Sequence, residues 1–145
     1  MYTGLLHAHN GFRWLVLAAL ALATIMALTG WFGGRSWKKS DNVFGLVLLI
    51  LADVQFLIGL ILYVVSPLRI EAFKDFGAAM QNSTLRFFSV EHALLMVIAL
   101  AFLHIGRAKT KKAVSYRKKH RAAAIFFSIA LILVLIGIPW DRAFF

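Results

Sequence analysis

Polar side chains that can do chemistry stand in segments of this sequence that are otherwise strongly apolar. His7 and His9 lie near the start of the chain, with Arg13 one helical turn after His9, and Glu91 and His92 are adjacent in a later segment. A membrane tolerates such side chains only at a cost, so they commonly mark functional sites. Neutral imidazoles ligate metals, and two of them can bind a haem iron from its two axial sides.

The positions of these residues along their apolar segments indicate which of them can meet. His92 lies five residues after Phe87, where its segment begins, which places it about 8 Å deep at the rise of a helix. Gly59 lies six residues before Val65, where the second segment ends, and so reaches a similar depth. His9 lies nearer the same surface. The spacing predicts a b-type haem site with His9 and His92 as axial ligands and Gly59 admitting the edge of the macrocycle.

Two further residues support this site, although simpler interpretations remain open. Arg13 can neutralise a haem propionate. Glu91 and Arg13 can instead form an ion pair that makes the burial of both tolerable. The histidines can also be interfacial or hydrogen-bonded residues without a metal. His104 lies about 18 Å beyond His92 at helical rise and cannot share its metal, and His120 falls in a basic segment where we expect it to be solvated.

The composition indicates which elements must position these residues. Hydrophobic residues make up 61% of the 145, and the mean hydropathy is +0.81. A soluble domain of this size could not bury so much apolar surface. Four apolar runs, at 12–32, 43–65, 87–105 and 122–138, are long enough to cross about 30 Å of hydrocarbon as helices. We predict an all-α membrane protein whose single domain, 1–145, is a four-helix transmembrane up-down bundle in contact with the lipid bilayer.

The distribution of charge predicts the orientation of this bundle. Most of the 16 Lys and Arg residues lie in two segments, 35–39 and 107–121, and basic segments remain in the cytoplasm. Both termini and the 66–86 loop are therefore predicted outside, in a bacterial inner membrane. The spacing of apolar residues in the 66–86 loop favours a short interfacial helix. The net charge of +10 is explained by the basic segments, so we expect no nucleic-acid partner.

Other features limit the chemistry. The absence of cysteine excludes disulfides, iron–sulfur clusters and thioether-attached haem. No motif supports hydrolysis, phosphoryl transfer or nucleotide binding, so whether the chain is an enzyme stays open. Asp53 and Gln55 lie near the middle of the second run, and Gln55 shares a small-residue stripe that should face the bundle. These two residues keep open a transporter or channel built by self-association; a helix–helix hydrogen bond is the simpler role.

Four segments of the chain resemble a family of small four-span bacterial membrane proteins labelled cytochrome b-like. They are LLHAHNGFRW, DVQFLIGLILYVVSP, RFFSVEHALLMVIA and the IPW that follows the last run. The resemblance covers nearly the whole chain. It implies a membrane haem protein or an accessory of the respiratory chain, with His9 and His92 as ligands and Arg13 and Glu91 as supporting residues.

Two functional hypotheses follow. The first is a single-haem b-type cytochrome that transfers electrons near the outer face, to quinone or to a larger respiratory membrane complex. The second is a cofactor-free accessory or assembly subunit that packs against a larger membrane complex. The sequence also leaves homo-oligomer formation open.

Overall fold

The computed structural model describes residues 1–140, and these residues are almost entirely helical. Four helices are long and apolar enough to cross a membrane, so the chain is a multi-pass membrane protein. The elements are α1 (Tyr2–Phe32), α2 (Lys39–Val65), α3 (Pro67–Ala72), α4 (Phe76–Gln81), α5 (Ser83–Arg86), a π-helical turn (Phe87–Glu91), α6 (His92–Lys112) and α7 (Tyr116–Gly137). The predicted all-α class is confirmed.

The helices extend well beyond the apolar runs from which they were predicted. α1 begins at Tyr2 rather than near residue 12, so that His9 lies within the helix. Most of the basic 107–121 segment is helical as well, because only residues 113–115 separate α6 from α7. The hydroxyl of Ser115 caps α7 by accepting a hydrogen bond from the Lys118 backbone. A helix keeps its backbone hydrogen bonds where it leaves the hydrocarbon, so polarity alone does not end it.

The 66–86 segment forms three short helices where one was predicted, and each has its own N-terminal cap. Ser66, Asp75 and Asn82 accept hydrogen bonds from backbone amides at the starts of α3, α4 and α5. Pro67 occupies the first turn of α3, where its missing N–H is not needed. This segment covers the end of the bundle at which both described termini also lie, and we call it the α3–α5 end. The opposite end, with most of the lysines, is the basic end.

The four long helices pack in the ring order α2, α1, α7, α6, and the contact between α2 and α6 that closes the ring is the smallest. Small residues let α1 approach its neighbours, since Ala23 and Ala27 are both buried. Leu20 of α1 and Leu48 of α2 are fully buried inside the bundle. Large apolar side chains cover the outside of the bundle, as lipid requires.

At the basic end, the connection between α1 and α2 is held by an ion pair. Two guanidinium nitrogens of Arg35 lie 2.9 and 2.5 Å from the carboxylate oxygens of Asp41, which is buried. The hydrogen bond to Asp41 raises the pKa of the Arg35 guanidinium above its ordinary value. The pair fixes the turn that returns the chain into the bundle.

Burial of His120 at the basic end corrects one expectation. His120 was expected to be solvated, but it is completely buried in the second turn of α7. Its ring lies 4.8 Å from the ring of Trp37 and directly against Gly30, where a Cβ would collide with the imidazole. The expectation was wrong because α7 begins at Tyr116, so that His120 already faces the other helices.

Candidate functional site

The structure brings His9 of α1 and His92 of α6 together near the α3–α5 end. Their ring centroids lie 6.3 Å apart, and the ring planes are inclined by 77°. Both side chains are partly buried, whereas His7 is exposed on the other side of α1. The sequence predicts that His9 lies nearer the surface than His92, and the structure nevertheless brings the two rings within contact distance. The role of the two histidines as ligands stays a prediction.

The tautomer of His92 is set by α7. Nδ1 of His92 lies 2.7 Å from the backbone oxygen of Gly137, and a carbonyl oxygen can only accept. Nδ1 therefore carries the proton, and Nε2 of the neutral ring keeps its lone pair. This is the second-shell arrangement by which proteins usually orient a metal-ligating imidazole. α7 approaches closely at this point, since a Cβ on Gly137 would collide with the side chain of Met96.

Two residues of α2 surround His9. The amide nitrogen of Gln55 donates a hydrogen bond to the backbone oxygen of His9 at 3.0 Å, and it also lies 3.4 Å from Nε2 of the His9 ring. Gly59 lies against the same ring, and a Cβ there would come within 3.0 Å of Cε1 of His9. The missing side chain of Gly59 therefore makes room for the imidazole. The contact of Gly59 with the edge of a haem macrocycle stays a prediction.

Three buried polar atoms at this site have no hydrogen-bond partner among residues 1–140. They are Nδ1 of His9, Oε1 of Gln55 and Nε of Arg13. The Arg13 guanidinium lies 5.1 Å from the ring centre of Trp14. An unsatisfied buried polar group costs about 1–3 kcal/mol, so a bound group that satisfied these atoms would gain that energy. Unpaired atoms on both a ring nitrogen and a guanidinium suit a ligand that has a metal and a carboxylate.

Glu91 pairs with Arg86, and no ion pair joins Glu91 to Arg13 among residues 1–140, so the alternative ion pair between Glu91 and Arg13 is not formed. Oε1 of Glu91 instead lies 2.6 Å from Nε of Arg86, and about two fifths of each side chain is exposed. Arg86 also donates to the backbone oxygen of Met80 at 2.9 Å. Glu91 thus ties the start of α6 to the short helices above it. Its expected role as a supporting residue of the site stays a prediction.

Sequence reasoning missed the π-helical turn that precedes His92. The turn Phe87–Glu91 inserts one extra residue, which rotates the later side chains of the helix by about 100°. Such turns occur frequently at functional sites. The Tyr63 hydroxyl of α2 donates to the backbone oxygen of Ser89 within this turn at 2.9 Å. No pattern in the sequence signals a π-helical turn, although a polar residue such as Tyr63 near the end of an apolar run is a signal for an interhelical contact.

Residues 1–140 contain no group of three or more His, Cys, Asp or Glu side chains that could hold a metal ion. An imidazole nitrogen bound to a metal lies about 2 Å from the metal and about 1 Å from the centre of its own ring. Two imidazoles on opposite sides of one metal therefore have ring centres about 6 Å apart. The separation of His9 and His92 is close to that value, and it also lies within the range of about 4.5–7 Å for an ordinary edge-to-face contact between two rings.

A separate polar pair joins α2 to α6 at a different level of the bundle. Nε2 of His104 lies 2.8 Å from Oδ1 of Asp53, and nearly half of each side chain is exposed on the outside of the bundle. This pair is not part of the His9–His92 site, in agreement with the depth predicted for His104.

The chain has no match among protein-family models, curated proteins or solved structures.

Proposed function

We propose that this protein is a b-type membrane cytochrome that holds one haem between His9 and His92. The observation that carries the proposal is the approach of these two imidazoles from different helices, 6.3 Å apart between ring centroids. A haem with two imidazole ligands supplies one-electron transfer. The resemblance to cytochrome b-like membrane proteins, seen in the segments that contain both histidines, favours the same function.

The residues around the two histidines have distinct roles in this proposal. The carbonyl of Gly137 holds His92 in the tautomer whose Nε2 is free. Gln55 fixes the backbone of α1 at His9. Arg13, whose Nε is buried and unpaired, neutralises a propionate. Glu91 anchors the first turn of α6 through Arg86 and so orients His92 indirectly.

The position of the site near one end of the bundle suggests where electrons enter or leave. The concentration of Lys and Arg at the basic end favours a cytoplasmic location for that end in a bacterial inner membrane. The α3–α5 end, with the histidine pair, then lies at the outer face. We propose that electrons are exchanged there with a quinone or with a larger respiratory membrane complex.

The proposal is tested by haem analysis of the protein purified in detergent after expression with adequate haem supply. We expect one haem per chain and the sharp reduced-state absorption of a six-coordinate, low-spin iron. Folded protein without haem would contradict the proposal. The second candidate function, a cofactor-free accessory or assembly subunit of a larger complex, would then be preferred. It is favoured by the hydrogen bonds that both histidines already make within the protein, since these bonds join α1 to α2 and α6 to α7 without a cofactor.

A further inference from the structure

The pair formed by Asp53 and His104, which we call the polar pair, lies where the protein meets lipid. The two side chains are 45% and 47% exposed on the outside of the bundle, at the loosely packed contact between α2 and α6. Asp53 stands near the middle of α2, about 20 Å from Lys39 at helical rise. At this depth its exposed atoms face hydrocarbon. A carboxylate in that position is costly unless another polar group covers it.

Each member of the polar pair has one polar atom left for a further partner. Within the described residues, the only hydrogen bond of either side chain joins Nε2 of His104 to Oδ1 of Asp53. With one proton shared between Nε2 of His104 and Oδ1 of Asp53 and a second proton on Nδ1, the pair is neutral overall, Nδ1 can donate, and Oδ2 can accept. A surface that offers both a donor and an acceptor is complementary to itself when it is rotated by 180°.

The shape of the surface around the polar pair is also complementary to itself. On α2, Ile50 lies three residues before Asp53 and Leu57 lies four residues after it. Their side chains are 53% and 57% exposed. On α6, Ala101 and Ala108 stand at the same spacing on either side of the imidazole, and both are exposed. The two helices run antiparallel. Ile50 and Ala108 therefore lie toward the basic end, and Leu57 and Ala101 lie toward the α3–α5 end.

We propose that this surface binds a second copy of the chain about a two-fold axis parallel to the bundle. The rotation places α2 of each copy against α6 of the other at the same height. Ile50 and Leu57 then pack onto alanines of the partner, and the two polar pairs cover one another in the centre. Alanines allow the close backbone approach on which helix association in membranes depends. The dimer does not require haem and so stands apart from the proposed function.

Cysteine cross-linking tests the dimer directly, because the natural chain contains no cysteine. The variants Leu57→Cys and Ala101→Cys are purified with different affinity tags, mixed, reconstituted into phospholipid bilayers and oxidised. We expect a disulfide-linked species that carries both tags. The control replaces Ala101→Cys by Ile132→Cys, which lies on α7 and is equally exposed to lipid at 56%. That mixture should give only the random level of cross-linking.

A second variant tests the same surface without cysteines. Ala101→Leu fills the space that receives Leu57 of the partner, and we expect it to weaken self-association by about three- to tenfold, as for the loss of one contact between membrane helices. Analytical ultracentrifugation in detergent measures this change, and circular dichroism checks that the helices are intact. Equal cross-linking in the two mixtures would overturn the proposal. A wild-type protein that stays monomeric at every protein-to-detergent ratio would also overturn the proposal. This includes a monomer whose surface is covered by a bound lipid or quinone molecule.

Discussion

His92 donates a hydrogen bond from Nδ1 to the backbone oxygen of Gly137, and this 2.7 Å contact joins the first turn of α6 to the last turn of α7. It depends on close helix packing, since a side chain at Gly137 would collide with Met96. The atom that an added Cβ would meet is the terminal methyl of the flexible Met96 side chain, so we expect Gly137→Ala to displace that methyl, keep the bond and change the free energy of unfolding by less than about 1 kcal/mol. Thermal unfolding in detergent measures the change.

The matched control for this substitution is Gly11→Ala in α1, where no atom lies within 4 Å of the added Cβ. An alanine inside a helix is favoured over glycine by up to about 1 kcal/mol, so this variant should be as stable as the wild type or more stable. A loss of more than about 1 kcal/mol in Gly137→Ala, with Gly11→Ala unaffected, would mean that Met96 cannot move aside and that α6 and α7 pack more rigidly at Gly137 than the structure indicates.

Gly59 provides a second test of packing at the histidine pair. An added Cβ would come within 3.0 Å of Cε1 of His9, which is tighter than ordinary contact, so the imidazole must move. We expect Gly59→Ala to lower the free energy of unfolding by about 1–2 kcal/mol and to reduce the haem retained per chain. Gly45→Ala, on the same helix, should change neither quantity, because its Cβ would meet Arg107 at an ordinary 3.6 Å. Identical behaviour of the two variants would contradict the placement of His9 against α2.

The number and order of the long helices and the approach of His9 to His92 could be predicted from the sequence, although the helices extend beyond their apolar runs. Apolar run length sets where each helix lies in the membrane, and the fixed rise per residue then sets the depth of each histidine. The partner of Glu91 could not be predicted in this way. It depends on α5, which carries Arg86, and on a π-helical turn that has no signature in hydropathy.

The burial of His120 shows a different limit of sequence reasoning. Basic neighbours made this residue look solvated, but the direction of a side chain on a helix changes by 100° per residue. Charged neighbours can therefore face water while His120 faces the bundle. Its burial also needs the missing side chain of Gly30 and the ring of Trp37, which belong to distant parts of the sequence.

His120→Ala should consequently affect stability and not the histidine pair. Removing the ring leaves a cavity between α1 and α7 but also removes two buried nitrogens that have no hydrogen-bond partner among residues 1–140. We therefore expect a loss of about 1–2 kcal/mol in the free energy of unfolding. The haem content should stay at the wild-type level, because His120 lies at the basic end. Thermal unfolding and haem analysis of the same preparation separate the two effects. A loss of haem as large as that of His92→Ala would contradict the placement of His120 away from the histidine pair.

The orientation in the membrane is tested by fusing reporters after Phe145. Because basic segments remain in the cytoplasm, we expect a C-terminal alkaline phosphatase to be active and a C-terminal green fluorescent protein to be dark. A fusion at residue 114, between α6 and α7, should show the opposite pattern and serves as the internal control. The reverse result would place the histidine pair at the cytoplasmic face.

The most direct test of the central claim is the haem content of three single-residue variants, measured as pyridine haemochrome per chain. His92→Ala should lose most of its haem, and His9→Ala should either lose it or leave a five-coordinate iron that binds carbon monoxide. His104→Ala is the control within α6, since the side chain of His104 contacts Asp53 and not the site. Full haem retention in His92→Ala, or an equal loss in all three variants, would contradict axial ligation by His9 and His92.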